Sequence, residues 1–309
     1  MAIKRISAYA AIYLLWGGAY LAVRVLVEQF PPFLVAGLRY CLAALCLSPL
    51  ILARGAHMPS RKQMQNAIWT GVLMLAAGYG VVFWAEQRLP SWLAAVLVST
   101  SFLWTYLGEC FVLRSHRFRA VMLTPLIAGL AGVPLLVDAG DRRGYISLLA
   151  AFGVLGGALC WAAGSLALKR IDLPGSLIQT ACIQLGAAGI ALIVVSGCAG
   201  EWKHAPALAS FFAWRPLVAM ACLAIGASVL SFVAFLWLLT QEPASLVATF
   251  TYVNPIVAMA LGILAAHERF SSLQLIGALA VLGSVIAVWH MQGAGVEFSR
   301  LELREIPEP

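Results

Sequence analysis

Two tryptophans lie deep inside apolar segments of this chain, and each is followed at helical spacing by a hydroxyl and then by a cation. The segments are LLWGGAYLAVR at 14–24 and LCWAAGSLALKR at 159–170. The matched residues are Trp16, Tyr20 and Arg24 in the first segment, and Trp161, Ser165 and Lys169 in the second. Residues four apart share one face of a helix, so each ring and hydroxyl could bind the same small molecule. The alternatives are plain helix packing for the tryptophans and anchoring among lipid headgroups for the cations.

Other aromatic and polar residues in the apolar segments extend this candidate substrate-binding set. They are Tyr79, Ser99, Ser101, Trp104, Ser231, Phe235, Tyr252 and Asn254, with Thr100 and Ser228 at similar depth. The whole set describes an apolar, aromatic pocket with a few hydrogen-bonding groups, the usual composition of a small-molecule site. Each hydroxyl has a structural alternative, because Ser and Thr also bond carbonyls of their own helix.

The segment TFTYVNPIVA at 249–258 contains a proline directly after Asn254. Pro255 removes one helical hydrogen bond and clashes with the carbonyl four residues back, that of Thr251. In hydrocarbon a freed carbonyl must find another partner. The sequence therefore predicts either a plain kink or a hinge with a binding role.

Ionisable residues inside apolar segments are costly in a bilayer, so they mark candidate coupling or gating sites. The four in question are Arg39, Glu86, Arg88 and Glu109. Glu86 and Arg88 could form a gate pair or could be interface charges. Glu109 is the candidate proton-coupling carboxylate, and an ion pair with the basic cluster at 114–119 is its alternative.

The composition is that of a membrane protein. Hydrophobic residues make up 62% of the 309-residue chain, charged residues 11%, and the mean hydropathy is +0.92. Soluble domains are about 45–50% apolar and about 25% charged. The apolar residues come in blocks of roughly 20, the length of a helix that crosses a bilayer. We predict an all-α integral membrane protein with ten transmembrane helices, at 7–27, 32–53, 66–86, 91–113, 119–137, 145–168, 175–196, 216–239, 244–265 and 272–291.

The first five predicted spans and the last five resemble two copies of one unit. Trp16 aligns with Trp161, and VVFWAEQRLPSWLAAVL aligns with VAFLWLLTQEPASLVATF. Because each copy has an odd number of spans, the second copy must cross the membrane in the opposite sense to the first. Such inverted repeats suit a site that opens alternately to either side. The predicted domains are repeat 1 at 1–140, repeat 2 at 141–292 and a C-terminal tail at 293–309.

The charged residues predict the orientation of the chain in the membrane, and the cysteines give no sign of a cofactor. Lys and Arg are more frequent in the loops on the N-terminal side, which predicts that both termini are cytoplasmic. The net charge of +7 fits anionic lipid headgroups rather than nucleic acid, because no basic face exists outside short loops. Seven scattered cysteines without CxxC spacing indicate neither a metal site nor a disulfide framework.

The chain resembles the drug/metabolite transporter superfamily, EamA family, in its ten-helix branch. The resemblance covers roughly residues 7–291. It is carried by YLLWGGAYLAVR, the arginine of VAGLRY, AEQRLPSWLAA and NPIVAMALGILAAHERFSSLQLIGALAVLGSVI. It implies a small-molecule permease of the bacterial inner membrane, usually an exporter, with a cavity lined by spans one, three, four, six, eight and nine.

Taken together, these observations predict a secondary active transporter that exports small metabolites or drug-like compounds by alternating access. The alternatives are a facilitative channel or uniporter, and an integral membrane enzyme. A channel would need a filter or a ring of charges, and an enzyme would need convergent catalytic groups; neither pattern stands out. The expected partners are a small-molecule substrate and the lipid bilayer, with protons as the candidate coupling ion, and the expected assembly is a monomer or homodimer.

Overall fold

The computed structural model describes most of the chain. The described residues are 2–53, 55, 57–85, 87–88, 91–115, 117–136, 147–204, 206, 208–266 and 272–302. Over these residues the regular secondary structure is helical and contains no β-strand. The predicted boundary between the two repeats, at 140 and 141, lies outside the described residues.

Thirteen α-helices are present in the described part of the chain. They are α1 Ala2–Val27, α2 Pro32–Ala53, α3 Arg61–Gly71, α4 Val81–Ala85, α5 Ser91–Phe111, α6 Leu123–Leu136, α7 Leu148–Ala167, α8 Leu177–Cys198, α9 Trp214–Ala221, α10 Ser231–Gln241, α11 Ala244–Val247, α12 Phe250–Ala266 and α13 Ser272–Glu302. Short 3₁₀ turns lie at Ala120–Met122, Glu201–His204 and Leu208–Phe212.

Six helical segments within the described residues are long and apolar enough to cross a membrane. They are Ile3–Val27, Pro32–Ala53, Arg61–Ala85, Leu148–Ala167, Leu177–Cys198 and Trp214–Gln241. They coincide with predicted spans one, two, three, six, seven and eight. Helices α5 and α6 coincide with predicted spans four and five. Shorter apolar stretches at Ala244–Val257 and Leu279–Val288 lie within predicted spans nine and ten. The protein is a helical membrane protein.

Two of the crossings change from α-helix to π-helix near their middle, which the sequence analysis did not predict. The first π-helical segment, Val72–Gly80, joins α3 to α4, and the second, Cys222–Leu230, joins α9 to α10. In the second segment, Ser228 donates to the carbonyl of Leu223 at 3.0 Å, five residues back. A π-helix places its backbone bonds at this same spacing and often occurs at a functional site.

The packing brings α1, α7 and the two π-helical segments to the middle of the bundle. Helix α1 packs on α12 and on the second π-helical segment, and α7 packs on α5 and on the first. Glycines permit the closest approach: a Cβ added to Gly157 of α7 would lie 2.5 Å from the carbonyl oxygen of Gly78. Around this centre, α2 packs along α8, and α6 packs along α13.

Helix α13 continues to Glu302, beyond the end at residue 291 that was predicted for the tenth span. The added residues are mostly helix-compatible, and no proline lies between Pro255 and Pro307. The described part of the predicted tail at 293–309 is therefore helical, while 303–309 lie outside the described residues.

Candidate functional site

A narrow, mostly apolar cavity lies between α1, α2, α7 and the two π-helical segments. Its empty volume is about 560 Å³ when its open mouth is counted. It is lined by Trp16, Ala19, Tyr20, Val23, Arg39, Tyr40, Leu75, Tyr79, Val82, Phe83, Trp161, Leu185, Ala227, Ser228 and Phe232. Four predicted substrate-binding residues are in this set, Trp16, Tyr20, Tyr79 and Trp161, and so is Arg39, which the sequence suggested for coupling or gating.

The two tryptophans that defined the repeated motif meet at the base of this cavity. The ring centroids of Trp16 and Trp161 are 5.7 Å apart, in an edge-to-face arrangement with an interplanar angle of 84°. Phe235 contacts both, at 5.5 Å and 5.2 Å, and Tyr79 contacts Trp161 at 5.0 Å. Residues from four separate crossings thus converge on one aromatic cluster, which suits contact with an apolar or aromatic ligand.

Trp16 is held by a bond to the second π-helical segment. Its indole N–H donates to the carbonyl oxygen of Ala227 at 2.7 Å. A buried indole N–H requires such a partner. This bond fixes the ring against the segment that also contributes Ser228 to the cavity.

Arg39 is the charged residue among the described residues of the cavity lining. Its side chain is 6% exposed, and its Nε donates to the hydroxyl of Ser228 at 2.7 Å. The guanidinium carbon lies 5.0 Å from the ring centroid of Tyr40 and 6.0 Å from that of Phe83. Arg39 therefore presents a positive charge to the cavity from among aromatic rings.

A smaller pocket, with about 230 Å³ of empty volume, lies on the other side of Tyr79 and Trp161. Ser101 and Thr251 line it, together with Phe250. The hydroxyl of Ser101 is buried and has no hydrogen-bond partner among the described residues, and the same holds for Oδ1 of Asn254. Both are predicted site residues; Ser101 lines this smaller pocket, whereas Asn254 lines neither it nor the larger cavity.

The backbone group that Pro255 leaves without a partner is bonded by a neighbouring helix. Pro255 lies inside α12. The carbonyl of Thr251, which proline deprives of its usual partner, accepts a hydrogen bond from the Ser99 hydroxyl at 3.1 Å. Ser99 thus satisfies the carbonyl for which proline has no N–H, as a hydrocarbon environment requires.

Two further predicted serines bond backbone carbonyls and do not line the cavity. Ser165 donates to Trp161 of its own helix at 2.7 Å. Ser231 bonds Gly226 at 3.0 Å and Ala11 of α1 at 3.2 Å. These contacts match the structural alternative for both residues.

The remaining predicted residues lie away from the cavity. Trp104 is 38% exposed on the outside of the bundle. Tyr252 packs on Phe102 at 5.0 Å, in a separate cluster with α13. Arg88 is exposed, lies over the ring of Trp84 at 4.4 Å and donates to its carbonyl at 3.0 Å. Glu86 lies outside the described residues.

Glu109, near the end of α5, is buried against the first residues of α11 and forms no ion pair with the described residues of the basic cluster at 114–119. Its carboxylate accepts from the backbone N–H of Ala244 at 2.5 Å, from that of Ser245 at 3.2 Å, and from the Ser245 hydroxyl. Charge-assisted bonds of this kind are among the stronger ones in proteins. Glu109 thereby ties the end of α5 to the connection between α10 and α12.

Polar contacts join three helical segments at the end of the bundle that contains Glu109. Arg5 of α1 pairs with Glu242, and Lys169 donates to the Glu242 carbonyl at 2.5 Å. Burial lowers the pKa of Lys169, and the nearby carboxylates of Glu109 and Glu242 oppose this shift. Arg24 lies at the other end of α1, about 28 Å away at 1.5 Å per residue. The cavity residues on α1, from Trp16 to Val23, lie on the Arg24 side.

Several cavity residues were not singled out from the sequence. Tyr40, Phe83 and Phe250 are ordinary apolar or aromatic residues in apolar spans, and only helix register decides which way they face. The Ala227 carbonyl that accepts from Trp16 is a backbone group, so residue type gives no sign of its role. Among the described residues, no group of three or more His, Cys, Asp or Glu could hold a metal ion.

Comparison with known proteins gives consistent similarities along the chain. The model of the EamA-like transporter family matches residues 5–137 and 148–289. The "Uncharacterized inner membrane transporter YedA" of Escherichia coli (strain K12) is 34% identical over 285 residues, covering 91% of this chain and 89% of that protein. The "Probable amino-acid metabolite efflux pump" of the same strain is 21% identical over 279 residues, covering 88% and 90%. These names point to transport rather than catalysis.

A solved crystal structure has a similar fold. It superposes with a TM-score of 0.75 at 19% sequence identity, and the match covers 91% of this chain and 96% of that one. At this identity the likeness concerns the fold alone.

Proposed function

Because the chain belongs to the EamA-like transporter family, we propose that it is a secondary active transporter that exports small organic molecules across the bacterial inner membrane. The observation that carries the proposal is the aromatic cavity. Trp16, Tyr79 and Trp161 come from three different crossings and line one space in the middle of the bundle. An apolar cavity with few polar groups is the usual form of a small-molecule site.

In this proposal the transporter consists of two inverted repeats, at 1–140 and 141–292, that rock about the cavity. The family model matches each half separately, over 5–137 and 148–289. The helix neighbours also recur in pairs: α1 with the second π-helical segment, and α7 with the first. Arg24 and Lys169 lie at opposite ends of the bundle, as symmetry mates of inverted repeats would.

The proposed orientation places both termini in the cytoplasm, in agreement with the excess of basic residues in the loops on that side. The contacts among Arg5, Lys169 and Glu242 then form a closed cytoplasmic side. The cavity, on the Arg24 side, is the outward-directed one. Export is the direction suggested by the name of the efflux-pump relative. Protons are the proposed coupling ion, with Glu109 as the coupling carboxylate and Pro255 as a hinge.

A substitution pair tests the cavity. A thermal-shift screen of the purified protein against metabolites identifies a ligand, since a ligand that binds only the folded state stabilises it. Transport of that ligand is then measured in liposomes. Trp16→Ala and Trp161→Ala are each expected to reduce transport by about tenfold or more, because each removes ring contacts at the base of the cavity.

Trp214→Ala is the matched control, because Trp214 is 70% exposed and does not line the cavity. It is expected to transport as the wild type does. Equal transport by all three variants would contradict the assignment of the cavity as the transport site.

A further inference from the structure

The charge of Arg39 is enclosed within the cavity. Arg39 lies in α2, and its side chain is 6% exposed. It shares the cavity lining with Tyr20 and Tyr79. A charged side chain at membrane depth is costly unless a partner or water compensates for it, and such residues usually mark a substrate or ion pathway.

The protein supplies Arg39 with little compensation. A guanidinium has five N–H donors, and the Ser228 hydroxyl accepts from one of its nitrogens. The faces of Tyr40 and Phe83 add weaker cation–π attraction. Among the described residues no carboxylate lies within 4.0 Å of Arg39; the described ion pairs are those of Arg5 and Arg24. The terminal nitrogens are therefore the cavity's strongest unmatched donors.

We propose that Arg39 binds the carboxylate of an anionic substrate, while the rings of Trp16, Tyr79 and Trp161 contact its apolar or aromatic body. This inference rests on the proposed function and adds the charge of the substrate. It also gives Arg39 a binding role in place of the coupling or gating role that the sequence suggested.

The shape of the guanidinium favours a carboxylate over other polar heads. Its planar fork matches the two oxygens of a carboxylate and can donate to both at once. The Nε bond to Ser228 leaves the terminal nitrogens for this purpose and fixes the plane of the group. Ser228 is itself held by its bond to Leu223, so the second π-helical segment positions the binding group.

The charges of the lining predict which class of ligand binds most tightly. The described residues of the lining include no Asp or Glu. An ammonium group would therefore meet no carboxylate there, and it would lie beside a like charge. We expect aromatic monocarboxylates to bind more tightly than amino acids of the same side chain, and amines to bind least.

The test compares isosteric ligands on the purified full-length protein by titration calorimetry. Phenylacetate and cinnamate are each paired with the neutral amide of the same shape, and phenethylamine and phenylalanine complete the series. The wild type is expected to bind each carboxylate about tenfold or more tightly than its amide. This comparison needs no variant, so it does not depend on how a substituted protein folds.

Variants then assign the preference to Arg39. In Arg39→Gln the carboxylate and the amide are expected to bind equally, and in Arg39→Lys an intermediate preference is expected, because Lys keeps the charge without the fork. Ser228→Ala should weaken the preference without abolishing it. The matched control is Arg24→Gln, which removes a cation in the last turn of α1, from an exposed pair with Glu28 and outside the cavity lining. It should bind as the wild type does.

Three outcomes would overturn the inference. They are equal binding of carboxylate and amide by the wild type, no binding of either carboxylate at millimolar concentration, and a carboxylate preference that survives in Arg39→Gln. If the amides bind and Trp16→Ala weakens them, the cavity remains the transport site and only the charge assignment fails.

Discussion

At the residue scale, the coupling role proposed for Glu109 depends on the hydrogen bonds that its carboxylate accepts. It accepts from two backbone N–H groups and one hydroxyl at the start of α11, so its charge holds α5 against that turn. Protonation would remove the charge and weaken these bonds. A proton on Glu109 would therefore favour separation at the Arg5 end.

Glu109→Gln is expected to flatten the pH dependence of transport, because glutamine keeps the shape of the side chain but cannot titrate. Transport of the screened ligand in liposomes, measured across a range of pH, checks this. Glu201→Gln is the matched control: Glu201 also accepts from backbone N–H groups at a helix start, those of Phe33 and Leu34, at 3.3 Å and 3.0 Å. An unchanged pH profile in Glu109→Gln would remove the coupling role.

Single residues differ in how far the sequence predicts them. Trp16 and Trp161 could be found because a large ring, repeated deep inside a span, has few other uses. Trp104 is also a large ring inside a predicted span, but it is 38% exposed, because the packing of α5 decides which of its faces turns inward. The location of Arg39 in the cavity, likewise, depends on the register of α2 against α8 and the second π-helical segment.

At the scale of elements, close packing at glycines positions the cavity. Gly157 of α7 contacts Gly78 of the first π-helical segment, and the cavity residues Trp161 and Tyr79 lie one turn or less beyond them. A Cβ on Gly157 would lie 2.5 Å from a backbone oxygen of Gly78. This clash can be relieved only if one of the two helices moves.

Gly157→Ala is therefore expected to destabilise the protein by about 1–3 kcal/mol, the usual cost of overpacking, and to reduce transport. Thermal unfolding of the purified protein measures the first effect. Gly156→Ala is the control one residue away, because a Cβ there has nothing within 4 Å. Equal melting temperatures for the two variants would contradict the close contact.

The helices themselves were predictable, whereas their π-helical parts were not. An apolar block of about 20 residues gives a crossing helix whatever its neighbours are. The first π-helical segment, VLMLAAGYG, is rich in small residues, and in the second the Ser228 hydroxyl bonds a carbonyl five residues back. The same residue types occur in regular helices, so their sequence carries no distinct signal.

At the scale of the whole molecule, the account depends on two halves that cross the membrane in opposite senses. The contacts already separate two ends of the bundle: Arg5, Lys169 and Glu242 lie together, while Arg24 pairs with Glu28 at 3.2 Å far along α1. If the halves are inverted repeats, Arg24 and Lys169 occupy equivalent positions on opposite membrane faces. The orientation of the protein in the membrane, which can be measured, determines whether these two ends face opposite compartments.

The most direct measurement is cysteine labelling with a membrane-impermeant maleimide on intact cells. The seven native cysteines are replaced by serine, and Arg24→Cys and Lys169→Cys are introduced one at a time. We expect Arg24→Cys to react from outside the cell and Lys169→Cys to react only after the membrane is permeabilised. Labelling of both positions from the same side would contradict the inverted arrangement, and with it the alternating-access transporter proposed for this chain.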